Sequence, residues 1–459
     1  MKQREGFGSK LGILAAAVGS AVGLGNIWKF PYIVGQYGGA AFILVYLLCI
    51  AIIGVPIMLV EFSLGRRSGT NAAAVFSLKK TKFPWEIGGY LAVATSFIIL
   101  SFYAIIAGWL FSYIGRSITG HLFTVDQSAF GAYFDAISSS TLEPLIGTAL
   151  VLIITAAVCI SGVKAGIEKY VKMLMPILFI LLILLMIRSV TLEGSNAGLE
   201  FLFKPDFSKI TSKAILEALG HAFYSLSLGM GIILTYGSYI DKTHNLGTLT
   251  VQVAIADTFI ALMAGTVIFP AVFAFNMEPN AGPGLIFITL PAVFEQMPMG
   301  NIVSVLFFLL IAIAAITSTI SLMEVSIAFV IETFKVERKR ATISVALALF
   351  ALAVPSVLSF GIWKDVLIGG RGFFDLFDFV ASNIFLPVGG IMVCIYGGWV
   401  IGMRNIKDEV TNGGNVVFAG EKFYTFIIKY VAPLAIFVIL LFSTGLLTKV
   451  VFRLFGVEW

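Results

Sequence analysis

Residues 19–32 read GSAVGLGNIWKFPY and lie inside an apolar segment, yet they lack the composition of an ordinary helix. Three glycines occupy positions where leucine would pack better, and Asn26, Lys29 and Pro31 follow them. In hydrocarbon every backbone N–H and C=O group needs a partner, so a broken helix persists there only against protein or a water-filled cavity. The freed carbonyls of such a break can hold a cation, and the freed amides can hold an anion. The alternative interpretation is a glycine-rich packing face, which is common in membrane helices.

The composition of the whole chain is that of a polytopic membrane protein. Of its 459 residues, 59% are hydrophobic and 12% are charged, which is too apolar for a soluble domain. Apolar stretches of about 20 residues predict eleven membrane spans. The predicted spans are 11–33, 40–64, 87–114, 144–161, 165–187, 214–238, 247–274, 301–333, 340–359, 373–402 and 424–448. Lys and Arg are more abundant in the loops on the side of the N-terminus, which predicts a plasma-membrane protein with a cytoplasmic N-terminus and an extracellular C-terminus.

The charge and the positions of the cysteines and histidines disfavour several function classes. The net charge of +5 is explained by the membrane-flanking loops, so it predicts no nucleic-acid partner. Cys49, Cys159 and Cys394 lie in apolar helices, which argues against a disulfide framework or a metal site. The three histidines are scattered without metal-ligand spacing. No nucleophile–base pair emerges, and His221 is interpreted as a packing residue. We therefore expect neither an enzyme nor an organic cofactor.

A second interrupted stretch occurs in the sixth predicted span, where residues 221–236 read HAFYSLSLGMGIILTY. Interrupted segments at corresponding positions of two halves indicate an inverted-repeat transporter with its site at the bilayer midplane. This is a topological inference, since the halves share no detectable residue-level similarity. The predicted units are an N-terminal latch (1–10), a first repeat (11–190), an extracellular connection (191–213), a second repeat (214–402) that includes an extracellular lid at about 278–298, and the last helix with the C-terminus (403–459).

Polar residues inside other spans are further candidates. Asp257 lies in the seventh span, and a carboxylate in a membrane helix marks a functional site by default. The eighth span contains AAITSTIS at 314–321, followed by Glu324. Such hydroxyls usually bond to their own helix, so this cluster alone favours a structural role. Gly166 and Pro176 in the fifth span are compatible with either a hinge or a simple kink.

The motifs GSAVGLGNIWKFPY, FYSLSLGMG, GPGLIFITLP and AITST occur in an order and spacing that resemble the neurotransmitter:sodium symporter family. The resemblance covers essentially the whole chain and is greatest for the bacterial amino-acid transporters of the family. It implies an all-α membrane protein with eleven transmembrane helices. These would form a 5+5 inverted repeat with broken helices 1 and 6, the leucine-transporter-like fold.

The resemblance also implies two sodium sites beside the substrate. The first would use Ala21, Asn26, Ser225 and Asp257. The second would use the carbonyls of Gly19, Val22 and Ala314 with the hydroxyls of Thr317 and Ser318. Both sets contain only oxygen ligands, as a hard alkali cation requires.

The chain departs from the family at an anion site beside the first sodium. Tyr46 and Ser225 match the chloride-dependent members, but His221, Asp257 and Ala261 do not. Most members carry Asn at the position of Asp257. A fixed carboxylate can balance sodium charge that chloride would otherwise balance, so we expect chloride-independent transport.

Gly23 stands where monoamine-transporting relatives carry Asp, so the substrate should supply its own carboxylate and be an α-amino acid. The residues implied to bind it are Ser20, Ala21, Gly23, Leu24, Gly25, Ile99, Tyr103, Tyr224, Ser225, Ser227, Met230, Ser318 and Leu322. None has a charged side chain, and a charged substrate side chain would be buried unpaired. Met230 is adaptable, which predicts large hydrophobic L-amino acids such as Trp, Phe and Leu.

The resemblance further implies two gates. Lys29 and Asp378 resemble the outer pair, although relatives usually carry Arg at the first position. The inner latch would consist of Arg4, Glu332, Phe7 and Tyr239.

The predicted function is sodium-coupled import of hydrophobic amino acids with two sodium ions per substrate. A transport-inactive sensor of the same fold is the main alternative, and a sodium-leak channel is disfavoured because a pore has no use for an occluding shell. The sequence predicts two partners, the substrate and the lipid bilayer, and does not specify any protein partner.

Overall fold

A computed structural model describes residues 5–277, 283–418 and 420–447, and most of this chain is helical. The helices are α1 (Lys10–Ala21), α2 (Gly25–Gln36), α3 (Ala40–Ser68), α4 (Glu86–Ile118), α5 (Phe130–Ser139), α6 (Leu142–Ile160), α7 (Val163–Val190), α8 (Asn196–Phe203), α9 (Ser212–Ser225), α10 (Ile232–Gly237), α11 (Leu246–Ala274), α12 (Leu285–Gln296), α13 (Gly300–Phe334), α14 (Arg338–Leu358), α15 (Phe373–Val410) and α16 (Glu421–Ser443).

These helices occupy all eleven predicted spans. Within the described residues, nine helices are long and apolar enough to cross a membrane, and the pair α1 and α2, bent by 54°, makes a tenth. The sixth predicted span is occupied by α9 and α10, each too short to cross alone. The predicted all-α membrane fold with interrupted first and sixth spans is therefore confirmed.

Side chains replace the helix hydrogen bonds that the first break removes. Val22 is extended, and the Oδ1 atom of Asn26 accepts a hydrogen bond of 3.1 Å from the amide of Gly23. The hydroxyl of Ser227, from the second break, donates to the Ser20 carbonyl at 2.9 Å. The second interruption thus supplies a hydrogen bond to a backbone carbonyl of the first, as hydrocarbon surroundings require.

The second break needs residues that tolerate left-handed backbone. Ser227, Gly229 and Gly231 have φ values of 55°, 75° and 80°, and glycine adopts such values without strain. The amide of Gly229 donates to Glu61 Oε1 at 2.8 Å. Because Glu61 lies on α3 and is fully buried, this bond fixes the interruption against a neighbouring helix.

Close backbone contact holds the remaining helices around the two breaks. A Cβ atom on Gly108 of α4 would lie 2.7 Å from the carbonyl carbon of Gly147 on α6, so only glycine allows this approach. Helix α7 continues through Pro176 without interruption. The structure therefore shows no unwound hinge at Pro176.

The predicted extracellular lid contains a short apolar helix, α12. Its Phe287 ring lies parallel to that of Phe134 on α5, with centroids 5.2 Å apart, and edge-on to Trp109 of α4. The segment is thus packed into the protein. Residues 278–282 of the predicted lid lie outside the described residues.

On the side of the membrane where α1 begins, a buried cluster of polar and charged groups connects the end of α3, the residues before α11 and the end of α15. Arg66, at the end of α3, has a side chain that is 2% exposed and lies 3.1 Å from Glu409 of α15. It also donates to the His244 carbonyl at 2.9 Å and to Asn412 Oδ1 at 2.9 Å. Arg67 is 34% exposed and approaches Glu409 only at 3.7 Å.

We expect Arg66→Met to destabilise the protein by about 3 kcal/mol, because it leaves the Glu409 carboxylate buried without its main partner. The measurement is the midpoint of thermal unfolding in detergent. Arg67→Met is the matched control and should change stability by less than about 1 kcal/mol, since its contact with the same carboxylate is longer and more exposed. Equal shifts in the two variants would contradict this interpretation.

Candidate functional site

A small cavity lies between the two helix breaks. It is lined by Ser20, Ala21, Gly23, Leu24, Gly25, Asn26, Ile99, Tyr103, Tyr224, Ser225, Ser227, Met230, Ile232, Ser318 and Leu322. Every residue that the sequence analysis assigned to substrate binding is in this set. The structure adds Ile232, at the start of α10, which the sequence analysis did not include.

The backbone at Gly23 and Leu24 forms one wall of the cavity. A Cβ atom on Gly23 would lie 2.9 Å from Ser318 Oγ and 3.0 Å from the Tyr103 hydroxyl, so a side chain here would displace both groups. The Leu24 amide donates to the Tyr103 hydroxyl at 3.2 Å. An amide and a hydroxyl therefore meet at one point, and together they can bind a carboxylate.

Asp257 lies beside this wall with its side chain fully buried. Asn26 Nδ2 donates to Asp257 Oδ1 at 2.7 Å, and the Ser225 hydroxyl lies 3.0 and 2.9 Å from the two carboxylate oxygens. Among the residues that the structure describes, no Lys, Arg or His forms an ion pair with this carboxylate. A buried anion needs a cation, and the cluster of oxygen atoms suits a hard one.

A second oxygen cluster joins α1 to α13. Ser318 Oγ lies 3.5 Å from the Gly19 carbonyl, 3.3 Å from that of Val22 and 3.2 Å from that of Ala314. Thr317 Oγ1 lies 3.0 Å from the Ala314 carbonyl. The hydroxyls of Thr317 and Ser318 both bond to their own helix, as expected for a purely structural role. Because Ser318 also reaches α1, the five predicted ligands of the second sodium site are brought together.

The predicted outer gate lines a vestibule of about 560 Å³ above the cavity. Tyr103 and Tyr224 line both spaces and so form the boundary between them. The Lys29 ammonium lies 5.6 Å from the centre of the Tyr224 ring. Asp378 accepts a hydrogen bond of 2.7 Å from Ser382. Both gate residues are described, and they are not within ion-pair distance of each other, so the vestibule is open in this conformation.

The opposite end of the molecule is closed by the N-terminal segment. The Phe7 ring packs edge-on against Tyr236 and Tyr239, with centroids 5.5 and 6.1 Å apart. Tyr239 donates to Glu324 Oε1 at 2.7 Å, and Glu324 is paired with Arg338 at 2.5 Å. The intramembrane carboxylate Glu324 therefore has a cationic partner, unlike Asp257.

The latch predicted from Arg4 and Glu332 is described only in part. Arg4 lies outside the described residues. Glu332 Oε2 accepts two hydrogen bonds of 2.8 Å, from the backbone amide and the side chain of Asn71. The carboxylate of this predicted latch is thus positioned by the connection that follows α3.

Two structural carboxylates were missed by the sequence analysis. Glu61 supports the second break from α3, and the rule that singled out Asp257, a carboxylate in an apolar span, would have found it. Glu168 accepts from the Gly8 amide at 2.6 Å and the Ser9 hydroxyl at 2.5 Å, which fixes the N-terminal segment. No local sequence signal indicates this pairing, because the partners are about 160 residues apart. His221 packs against Phe30 and Tyr46, with ring centres 5.7 and 5.4 Å from its own, and neither of its ring nitrogens has a hydrogen-bond partner among the described residues.

The chain resembles known sodium-dependent transporters along most of its length. Residues 4–128 and 139–455 match the sequence model of the Sodium:neurotransmitter symporter family. The uncharacterized sodium-dependent transporter YhdH of Bacillus subtilis is 38% identical over 96% of this chain and 98% of its own length. The sodium-dependent neutral amino acid transporter B(0)AT2 of Mus musculus is 24% identical over 96% and 73%, respectively.

A solved structure is similar over almost the whole chain. The crystal structure of MhsT in complex with L-phenylalanine matches with a TM-score of 0.87 and 43% sequence identity. The match covers 96% of this chain and 100% of that one. The fold class predicted from the sequence is therefore that of this structure.

We expect Phe7→Ala to open the side on which α1 begins, because it removes two aromatic pairs worth about 1 kcal/mol or more in total. A cysteine introduced at Ser321, which is 1% exposed and accepts from Tyr236, should then react about tenfold faster with a water-soluble thiol reagent. The reaction is followed in membranes, in a background with Cys49→Ala. Phe97→Ala, which removes a half-buried ring from α4, should leave the rate unchanged. Equal rates with and without the Phe7 ring would show that Phe7 does not close this side.

Proposed function

Because the chain belongs to the sodium:neurotransmitter symporter family, we propose that it imports hydrophobic L-amino acids in symport with two sodium ions. Members of this family are membrane transporters and not enzymes. The proposed orientation in the plasma membrane has the N-terminus in the cytoplasm and the vestibule outside. One observation carries the proposal: the junction of the Leu24 amide and the Tyr103 hydroxyl lies beside a buried carboxylate without a cationic partner among the described residues.

In this proposal the substrate carboxylate binds the amides of Leu24 and Gly25 and the Tyr103 hydroxyl. The substrate ammonium binds backbone carbonyls near Ser20 and Ser227. Sodium at the first site binds Ala21, Asn26, Ser225 and Asp257, and sodium at the second binds the Ser318 cluster. Ala21 and Ser225 contact both the substrate and the first ion, so each ligand would raise the affinity for the other.

Asp257 supports chloride-independent transport. Its carboxylate is fully buried and already accepts hydrogen bonds from Asn26 and Ser225. A negative charge fixed at this point balances a sodium ion without an added anion. The neighbouring His221 packs against the rings of Phe30 and Tyr46.

The side-chain end of the cavity supports a large apolar substrate. Ile99, Met230, Ile232 and Leu322 supply apolar surface, and none of the lining side chains is charged. The similar structure of MhsT holds L-phenylalanine. We propose that this chain accepts substrates of the same class, including tryptophan and leucine.

Transport would proceed by alternating access. The vestibule is open on one side, while Phe7, Glu168 and the Glu324–Arg338 pair close the other. Binding of substrate and sodium would close Tyr224 and Lys29 over the cavity. Release on the other side would require the N-terminal segment to separate from Tyr236 and Tyr239.

We expect purified protein in proteoliposomes to accumulate labelled tryptophan and leucine above equilibrium when sodium flows inward, because the two ions and the substrate share ligands. Uptake should cease when potassium replaces sodium. It should be unchanged when gluconate replaces chloride, since Asp257 supplies the balancing charge. Sodium-dependent binding without uptake would favour the sensor, and labelled substrate that fails to undergo counterflow would exclude a carrier. A strict chloride requirement would overturn only the assignment of Asp257.

We expect Met230→Phe to narrow the cavity, because Met230 is 4% exposed and lies between Gly229 and Gly231 of the second break. Uptake of tryptophan should fall roughly tenfold more than uptake of alanine. Met230→Leu, which conserves volume, should leave the ratio of the two rates within about twofold. A parallel loss for both substrates would indicate damage to the fold instead of a narrower pocket.

A further inference from the structure

The second helix break is attached to α4 by a single side chain. The hydroxyl of Ser96 donates a hydrogen bond to the backbone carbonyl of Met230. Ser96 is fully buried and is not among the residues that line the cavity, whereas Met230 is. Ser96 therefore reaches the candidate site through the main chain of Met230.

This hydrogen bond differs from those of the neighbouring hydroxyls. Ser and Thr side chains in membrane helices usually bond to a carbonyl of their own helix. The hydroxyls of Thr95 and Ser101, also on α4, both do so at 2.7 Å. Ser96 lies between them in the sequence, yet its hydroxyl bonds to another segment of the chain. The bond therefore joins two elements of the fold at the candidate site.

The Met230 carbonyl depends on this donor. Gly229 and Gly231 have φ values of 75° and 80°, so the backbone on both sides of Met230 is left-handed and does not continue a helix. Among the described residues, no backbone amide donates to this carbonyl. Met230 is buried, and a buried carbonyl without a donor is unfavourable. Loss of the Ser96 hydroxyl would therefore drive this stretch to shift toward another donor.

The bond also fixes the break relative to one wall of the cavity. Ile99 lines the cavity from α4 and follows Ser96 by three positions, which places both on one face of the helix. A Cβ atom on Gly231 would lie 3.4 Å from the Cβ atom of Ala92, one turn before Ser96, so the break packs closely on this face. The hydrogen bond thus sets the position of the Met230 main chain relative to Ile99.

We propose that Ser96 is a positioning residue that sets the preference of the site for large apolar side chains. This inference rests on the proposed function and names a determinant of its specificity. With its main chain bonded to α4, Met230 presents apolar surface at a fixed place, and a large substrate side chain gains many contacts from such a surface. Alanine offers only a methyl group, so its binding depends less on where Met230 lies.

The test is displacement of labelled leucine from the purified full chain in detergent with sodium, by unlabelled tryptophan or alanine. We expect Ser96→Ala to weaken the binding of tryptophan about fivefold more than that of alanine, the effect of one hydrogen bond. Ser96→Thr keeps the hydroxyl and should leave the ratio of the two inhibition constants within about twofold of the wild-type value.

Ser101→Ala is the matched control. Ser101 is also fully buried on α4, but its hydroxyl bonds to the carbonyl of Ile98 in its own helix. Its loss should leave the ratio of the inhibition constants unchanged. A general defect of packing would weaken both amino acids together, whereas a shift of Met230 would change the ratio.

Three outcomes would overturn the role of Ser96. The first is an unchanged ratio in Ser96→Ala, whether both constants shift together or neither does. The second is the same change of ratio in Ser101→Ala, and the third is a Ser96→Thr variant that behaves like Ser96→Ala. A wild-type protein that binds no amino acid would overturn the proposed function, and this inference with it, so the two failures are distinguishable.

Discussion

The need to satisfy backbone polar groups in hydrocarbon governs this structure more than any single packing contact. Two helices are broken at membrane depth, and each break exposes amides and carbonyls that water cannot reach freely. Asn26 and Ser227 bond to the first break, and Glu61 bonds to the second through the Gly229 amide. These bonds connect α1 and α3 to the break between α9 and α10. The interruptions are therefore held by their neighbours and do not mark weak points of the fold.

The same requirement creates the site. Backbone groups that cannot all be satisfied within the protein remain available to ligands, and the cavity lies where the two breaks face each other. Asp257 sets the electrostatics there, because its buried charge is offset by hydrogen bonds from Asn26 and Ser225 but by no cation of the described chain. Glu324 shows the contrast, since Arg338 pairs with it. Glu324 is part of an ion pair within the protein, whereas Asp257 can bind a cation that enters and leaves the site.

Hydropathy and glycine positions predicted the spans and both interruptions, because these depend on local composition. The candidate site was predicted from the resemblance to a family, and the structure brings the predicted substrate-binding residues to one cavity. Long-range partners could not be predicted: Glu168 meets Gly8, and Glu61 meets Gly229, only after the helices pack. The conformational state of the protein could not be predicted from the sequence either. The sequence did not indicate that Lys29 and Asp378 lie beyond ion-pair distance of each other, or that α7 continues through Pro176.

The second oxygen cluster explains how a cation could bias that state. Ser318 Oγ lies 3.3 to 3.5 Å from the Val22 and Gly19 carbonyls and bonds to its own helix at Ala314. One hydroxyl, that of Ser318, thus links α13 to the end of α1. It is shared among three carbonyls, so each of its hydrogen bonds is weak. A ligand shifts an equilibrium only through its different affinity for the two states. A sodium ion bound to all five oxygens would join the helices only while α1 stays in place, so it would favour the conformation in which α1 and the N-terminal segment remain closed.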